Sequence, residues 1–458
     1  MKRLEGSFRD PSGFVFSYGK RFYRQINPCY KQPYDHFMAS GLYEKLVSAK
    51  LLVSHEEVDN LPVDPAECYK TIRPDVIPFI SYPYEWCYSQ LKNAALATLK
   101  IQKIALDHDM VLKDASAYNI QFYGGHPVLL DTLSFDTYRA GAPWVAYRQF
   151  CQHFLAPLAL MSYRDVRLGQ LLRTYIDGIP LDLASRLLPF RSRCDLSLLT
   201  HIHLHASSQK RYGSKPIDIH KMKVSKYSLR GLIDHLESSV QSLKWEPGNT
   251  EWADYYENSA YSQESIDHKT QIVDGFIEKI RPNAVWDFGA NNGFYSRIPA
   301  RKGIPTVSYD LDPVAVEKNY RQCVKTNEPN LLPLLMDLTN PSSGNGWDNQ
   351  ERMSLYERGP AEMVITLALI HHLVITNNIP FSYLSKFFAK YCHWLVIEFV
   401  PRSDGRVQRL FSRRNDSVEE YTDTNFKTEF ANRFEILDAV TIRGSERQIY
   451  LMKNRAVN

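Results

Sequence analysis

The apolar run Ala284-Val285-Trp286 leads straight into Asp287-Phe-Gly289-Ala-Asn291-Asn-Gly293 and then into a segment of helical character. A buried strand that turns through glycines into a helix confines the surrounding chain to few folds, because the glycines permit a tight turn that a small ligand can approach closely. Asp287 narrows the choice of ligand. A carboxylate inside such a turn repels the pyrophosphate of a dinucleotide and suits a ligand that carries an ammonium and a sulfonium. Asp287, Gly289, Asn291 and Gly293 are therefore cofactor-binding candidates.

The pattern around this turn is regular. A helix is predicted over Ser262–Ile280, and then strands (AVWDFG, TVSYD, LLPLLMD, MVITLAL, WLVIEFV) alternate with helices (YSRIPARKG, VAVEKNYRQCV, YLSKFFAKY). Such alternation predicts a mostly parallel, doubly wound α/β sheet. The second strand closes on Asp310, seventeen residues past Gly293, near where doubly wound folds place an acid for two ribose hydroxyls. The third closes on Asp337, where a carboxylate at a strand's C-terminal edge can accept the adenine amino group. A helix cap or loop acid is the structural alternative for each, and the Leu-Thr-Asn-Pro that follows Asp337 fits that alternative as well.

The segments DFGANNG, SYDLD, MDLTN and ITLALIHHL together resemble the class I S-adenosylmethionine (SAM)-dependent methyltransferases. The resemblance implies a Rossmann-like sheet of seven strands with the last antiparallel, which RFEILDAVTIRGSERQIYLMKN supplies as a hairpin around Gly444. It also implies SAM as cofactor and catalytic residues after the fourth strand. His371 and His372 stand there, and a neutral imidazole can remove an acceptor's proton during in-line transfer. Glu398, near the end of WLVIEFV, is a second catalytic candidate, with a paired rim acid as its structural alternative. NPPY-type tetrapeptides are absent, which favours O-methylation of a small molecule, sugar or lipid over N-methylation of bases or amides.

A chain of 458 residues with 44% hydrophobic content exceeds one ordinary core, so two domains are expected. The boundaries are drawn at 1–205 for an α+β domain, 206–250 for a linker carrying the helix RGLIDHLESSVQSLKW, and 251–458 for the methyltransferase. The first half opens with a hairpin, GFVFSYGKRFYRQI, followed by a helix over SGLYEKLVSAKLL and a strand over VIPFISYPY. A long helix, EWCYSQLKNAALATLKIQKIALDHD, comes next; a second hairpin flanks Gly124-Gly125, and Trp144–Leu188 has helical spacing.

Within that half, Asp114 and Asn119 lie five residues apart and Asp131 follows twelve later. These residues resemble the catalytic-loop and metal-binding motifs of protein-kinase-like and aminoglycoside-phosphotransferase-like folds. The resemblance implies a magnesium–nucleotide site in which Asp114 orients a hydroxyl while Asn119 and Asp131 hold the metal. The departures are an absent HRD histidine and arginine, DTLS in place of DFG, and no GxGxxG loop or VAIK-type lysine. Lys20, Arg21 or Arg24, with Glu44 as helix partner, are the substitutes on offer for that lysine. Three readings stay open for this half: an unrelated accessory domain, an inactive kinase-like fold, or a working kinase. Magnesium–ATP is accordingly not favoured as a cofactor. The whole chain reads as a methyltransferase, with a bifunctional kinase–methyltransferase acting on a glycan, or a dead SAM-binding scaffold, as alternatives.

Net charge of +4, from 55 basic and 51 acidic residues, leaves no basic stripe for nucleic acid. Seven scattered cysteines without a CxxC spacing suggest neither disulfides nor a zinc site and fit a reducing cytoplasm. No stretch approaches the ~18 uninterrupted apolar residues of a membrane span. His201-x-His203-x-His205 is read as a strand face in preference to a metal tract. Arg406–Arg414 is read as a solvated helix face, with an anionic substrate or membrane as the alternative.

Overall fold

A computed structural model describes residues 1–19, 21–59, 63–205, 224–248, 262–412 and 420–456. Lys20, positions 206–223 and 249–250 of the expected linker, and Arg413 and Arg414 fall outside them. The chain divides into two units, one of Met1–Glu246 with Asn345–Arg352, the other of Pro247–Gly344 with Met353–Asn458.

In the second unit β10 (Val285–Phe288), β11 (Thr306–Asp310), β12 (Leu331–Leu335), β13 (Ala361–Thr366), β14 (Cys392–Phe399), β15 (Phe434–Thr441) and β16 (Gln448–Asn454) form one sheet. Their order is β12-β11-β10-β13-β14-β16-β15. All pairings are parallel except those of β16, which runs against β14 and β15. Counted from one to seven this is 3-2-1-4-5-7-6 with the last strand reversed, the class I SAM-methyltransferase fold. β10 is buried along its whole length and β13 over all but Glu362, as strands covered by helices on both faces must be. The helix Gln263–Ile280, capped by the Ser262 hydroxyl, sends Val273, Phe276 and Ile277 into a core with Val285, Ile365, Val396 and Leu451.

The first unit has a five-stranded antiparallel sheet in the order β1-β2-β3-β5-β4. Its strands are β1 (Lys2–Arg3), β2 (Gly13–Tyr18), β3 (Arg21–Ile26), β4 (His55–Val58) and β5 (Lys70–Pro74). Helices Lys31–Ala39 and Leu42–Ser48 lie between β3 and β4 in the chain. The long helix Tyr88–Asp107 leads to two short antiparallel pairs, β6 (Met110–Leu112) with β9 (Phe135–Thr137), and β7 (Ile120–Tyr123) with β8 (His126–Leu129). Asp114 and Asn119 thus sit between β6 and β7, and Asp131 between β8 and β9.

Several sequence expectations are corrected. VIPFISYPY is not a strand: β5 ends before it at Pro74, and Pro78 and Pro83 bring no N–H to a ladder. Trp144–Leu188 is several short helical segments, interrupted near Gly178 and Pro180. The three histidines lie on the helical turn Leu199–Leu204 and its continuation, not on a strand. His201 Nε2 is 2.8 Å from His235 Nδ1, and His203 lies between Ser185 and Ser192 hydroxyls, so the nitrogens of these two are engaged within the protein, while His205 Nδ1 is buried without a hydrogen-bond partner among the described residues.

The helix Lys226–Ser242, expected in the linker, belongs to the first unit. It buries Leu229, Ile233, Leu236 and Val240, and Lys103 of the long helix reaches its Asp234 at 2.5 Å. Asn345–Arg352, expected in the methyltransferase domain, also belongs there. Glu351 pairs with Arg9 at 2.7 Å, and the Arg352 guanidinium lies 4.6 Å from the centre of the Tyr118 ring. Among the described residues no helix is long and apolar enough to cross a membrane.

Candidate functional site

The turn after β10 is built by its neighbours. The N–H groups of Gly289 and Ala290 both donate to the Tyr309 carbonyl, at 2.9 and 3.0 Å, which binds the turn to the end of β11. Gly289 has φ +76° and a side chain there would meet Leu369 at 3.0 Å; Gly293 has φ +75° and a Cβ would lie 2.4 Å from the Asn319 amide. Both positions thus require glycine on backbone and on space. Asn291 also takes a left-handed φ of +52°, which asparagine tolerates better than most residues, and its N–H donates to Asp310 Oδ2 at 2.7 Å.

β10 lies between β11 and β13, so the ends of all three strands open on one edge of the sheet. Asp287 is 2% exposed and accepts 2.6 Å from the Ser296 hydroxyl. Burial, with Asp310 as like-charged neighbour, pushes its carboxyl up to about 7 despite the Ser296 bond and nearby Lys269. Asp310 accepts from the N–H groups of Asn291 and Asp312, and burial pushes it up to about 6. Asp337 lies just past β12, after Met336, whose N–H donates to the Asp310 carbonyl. Its Oδ1 accepts from the Thr339 N–H at 2.8 Å and hydroxyl at 2.7 Å, so its visible role is to cap its own turn.

After β13 the chain passes through Ala368 at φ +52°, a left-handed conformation that strains a residue with a Cβ and gathers at functional sites. His371 follows, 1% exposed, with both ring nitrogens lacking a hydrogen-bond partner among the described residues. Its ring centre is 4.1 Å from that of His372. Burial first, then the neighbouring His372, Arg447, Arg406 and Lys269, hold His371 far below the ordinary imidazole value. His372 is lowered to about 4 by burial and the two arginines. Both rings are neutral at physiological pH.

Glu398 faces inward. It is fully buried and pairs with Lys269 Nζ at 2.6 Å and Arg447 Nη1 at 3.4 Å, while Arg447 Nε reaches Asp404 at 2.8 Å. Held between two buried cations, it has the paired-acid arrangement that the sequence left as its alternative. The sequence reading missed Ser296 and Asn319, whose partners Asp287 and Ser308 lie 9 and 11 residues away, and Lys269 and Arg447, which meet Glu398 across 129 and 49 residues.

In the first unit Asp114 Oδ1 accepts from the Ser116 N–H and the Gln149 amide, and burial raises its pKa. Asn119 Nδ2 points to Ser134 Oγ at 3.4 Å. Asp131 Oδ1 takes the Leu133 N–H and also Arg24 Nη1 at 2.6 Å. Arg24 meets Asp10 as well, at 3.3 Å. Lys20 lies outside the described residues; of Arg21 and Arg24, Arg24 of β3 is the one that reaches the acids, and Glu44 is exposed. Among the described residues no group of three or more His, Cys, Asp or Glu is arranged to hold a metal ion.

The chain is 31% identical over 456 residues to the nodulation protein NoeA of Rhizobium meliloti, covering 98% of this chain and 95% of that protein. No family model matches it. Similar solved structures include the magnesium protoporphyrin IX methyltransferase of Synechocystis, with 15% identity, TM-score 0.32, and coverage of 44% of this chain and 92% of that one. PH0226 of Pyrococcus horikoshii matches at 13% identity and TM-score 0.34, covering 45% and 100%. The bifunctional kinase–methyltransferase WbdD matches at 15% identity and TM-score 0.30, covering 44% and 42%.

Removing the charge of Glu398 should unfold more than it disables. Glu398→Gln leaves Lys269 and Arg447 buried with half their compensation, at a cost of about 3–5 kcal/mol, seen as a lowered midpoint in urea. An unchanged midpoint with lost turnover would return Glu398 to the catalytic candidates.

Proposed function

We propose, from the premise that the chain belongs to the family of the nodulation protein NoeA, that its second unit transfers the methyl group of SAM to a hydroxyl of a small molecule, sugar or lipid. The observation that carries this reading is the juxtaposition, at one sheet edge, of a glycine turn with one buried and one half-buried carboxylate, Asp287 and Asp310, and a buried imidazole whose nitrogens have no partner among the described residues. Ligands of doubly wound sheets bind at that edge, where the strand order reverses on either side of β10. Gly289, Asn291 and Gly293 let the cofactor lie against the backbone. Asp287 faces its ammonium, and Asp310 keeps lone pairs for the two ribose hydroxyls after accepting its two backbone N–H bonds. Asp337, already capping its turn, contributes at most one remaining oxygen to the adenine amino group. SAM supplies the electrophilic methyl group; His371, held neutral, accepts the acceptor's proton, and His372 packs its ring in place.

The first unit acts as an accessory domain on this reading, without magnesium–ATP. Arg24 neutralises Asp131, the carboxylate on which a magnesium ion would have to sit.

Asp310→Ala should weaken S-adenosylhomocysteine binding by about 2–4 kcal/mol, through the loss of two hydrogen bonds to a charged acceptor. Calorimetry measures this, and unchanged affinity in a folded variant removes Asp310 from the site. In the wild-type protein the same affinity should rise with pH through about 6 to 7 as Asp310 and Asp287 lose their protons.

His371→Ala should lower turnover roughly 10²-fold or more while leaving S-adenosylhomocysteine affinity intact. Full turnover in both His371→Ala and His372→Ala would end the assignment of a histidine base.

Thermal melting with and without magnesium–ATP should show no difference, whereas a ligand at 100 times its Kd would add about 2.7 kcal/mol. A magnesium-dependent rise that disappears in Asp131→Asn would establish the kinase reading instead.

A further inference from the structure

The five-stranded sheet of the first unit ends in a pocket of about 440 Å³, within the size range of small-ligand sites. Strand register explains its position. β4 starts where β5 stops, with His55 opposite Pro74 and Glu56 opposite Arg73, and the start of β3 lies beside them. Three strand ends thereby present Arg21, Glu56, Arg73 and Asp75 around one opening.

The polar groups are of both signs. Arg73 is paired with Glu56, and Asp75 accepts from the Ser54 hydroxyl. Arg21 has no hydrogen-bond or ion-pair partner among the described residues, so its five N–H donors are available. Beside it Phe22 and Val76 are 41% and 55% exposed, giving the mouth an apolar face next to the charged groups.

His55 lines the same pocket and is held in a fixed state. The Tyr34 hydroxyl donates to Glu57 at 3.0 Å, so its oxygen must accept from His55 Nε2, 3.2 Å away. Nε2 therefore carries the proton and Nδ1 is a bare acceptor, which has no partner. Burial lowers the ring's pKa to about 4, so it adds no charge.

This composition selects against most ligand classes. An anion such as a phosphate would meet Glu56 and Asp75, a cation would meet Arg21 and Arg73, and a wholly apolar molecule would strand the charged groups without water. A neutral molecule with many hydroxyls satisfies all of them. Each hydroxyl both donates and accepts, so neighbouring hydroxyls can bridge a guanidinium and a carboxylate together. The C–H face of a sugar ring can at the same time lie on an exposed aromatic ring.

We propose that this pocket is a carbohydrate-binding site for neutral sugar residues, with Arg21 and Asp75 hydrogen-bonding ring hydroxyls and Phe22 carrying the apolar face. The site needs neither cofactor nor methyl transfer, so its test stands apart from that of the methyltransferase reading.

The test is saturation-transfer NMR and calorimetry on the full chain, without SAM, using maltotetraose, cellotetraose, mannotetraose and tetra-N-acetylchitotetraose. At least one of these should bind, and Arg21→Ala and Phe22→Ala should each weaken it about tenfold. Both side chains are exposed, so the thermal midpoint should not move and lost binding cannot be ascribed to unfolding. Failure of all four sugars to bind at millimolar concentration, or binding that survives in the double variant, overturns the proposal.

Discussion

Lys269 and Arg447 are each 4% exposed at the side chain, and the Glu398 that joins them is not exposed at all. No charge survives in such surroundings alone, because desolvation costs several kcal/mol per ion unless a partner and further hydrogen bonds offset it. The network therefore fixes everything it touches. Lys269 belongs to the helix before β10, Glu398 to β14, Arg447 directly precedes β16, and Asp404 completes the chain of pairs. Lys269 also lies 4.7 Å from the centre of the Tyr295 ring, just past the glycine turn. The helix, the fifth strand and the reversed last strand are tied to one point beneath the site.

That point also sets the charge state of what lies above it. Lys269 and Arg447 act with burial to keep His371 neutral, and Lys269 offsets part of the penalty on Asp287. Asp287 and Asp310 still stand at about 7 and 6, above the ordinary carboxylate value near 3.9. The folded protein therefore binds more protons than the unfolded chain between those limits. The stability linked to these two groups is complete below the ordinary value and is lost as pH rises through about 6 and 7. Two carboxylates that weaken the empty fold at neutral pH are what a ligand with an ammonium and two hydroxyls would relieve, the pattern expected where function is placed ahead of stability.

What was legible in the sequence was what local patterning dictates. The alternation of strands and helices gave the second sheet, the glycines at 289 and 293 gave the turn, and strand ends carrying Asp287 and Asp310 gave the edge at which they meet. Partners were not legible, because they are chosen by distant parts of the chain. Glu398 has the same sequence context whether it faces an acceptor or Lys269, which lies 129 residues away. Asp337 shows how a local rule can compete with a functional one: the Thr339 that makes it a turn cap is only two residues on. The aromatic run VIPFISYPY carried strand-like residues, yet its prolines outweighed them, while β4 and β5 were too polar to register as strands.

The Arg24–Asp131 pair extends the same reasoning to the first unit. Both side chains are largely buried, at 13% and 16% exposure, so the guanidinium is not a loosely held surface partner. A magnesium ion arriving at Asp131 would have to displace it, shed water that it releases reluctantly, and leave a buried arginine facing Asp10 alone. Asp10 is itself brought in by the β1–β2 loop, where Ser12 Oγ also meets Lys113 Nζ at 2.7 Å. The Arg24 guanidinium thereby ties β3, the β1–β2 loop and the turn after β8 together through two acids, Asp10 and Asp131.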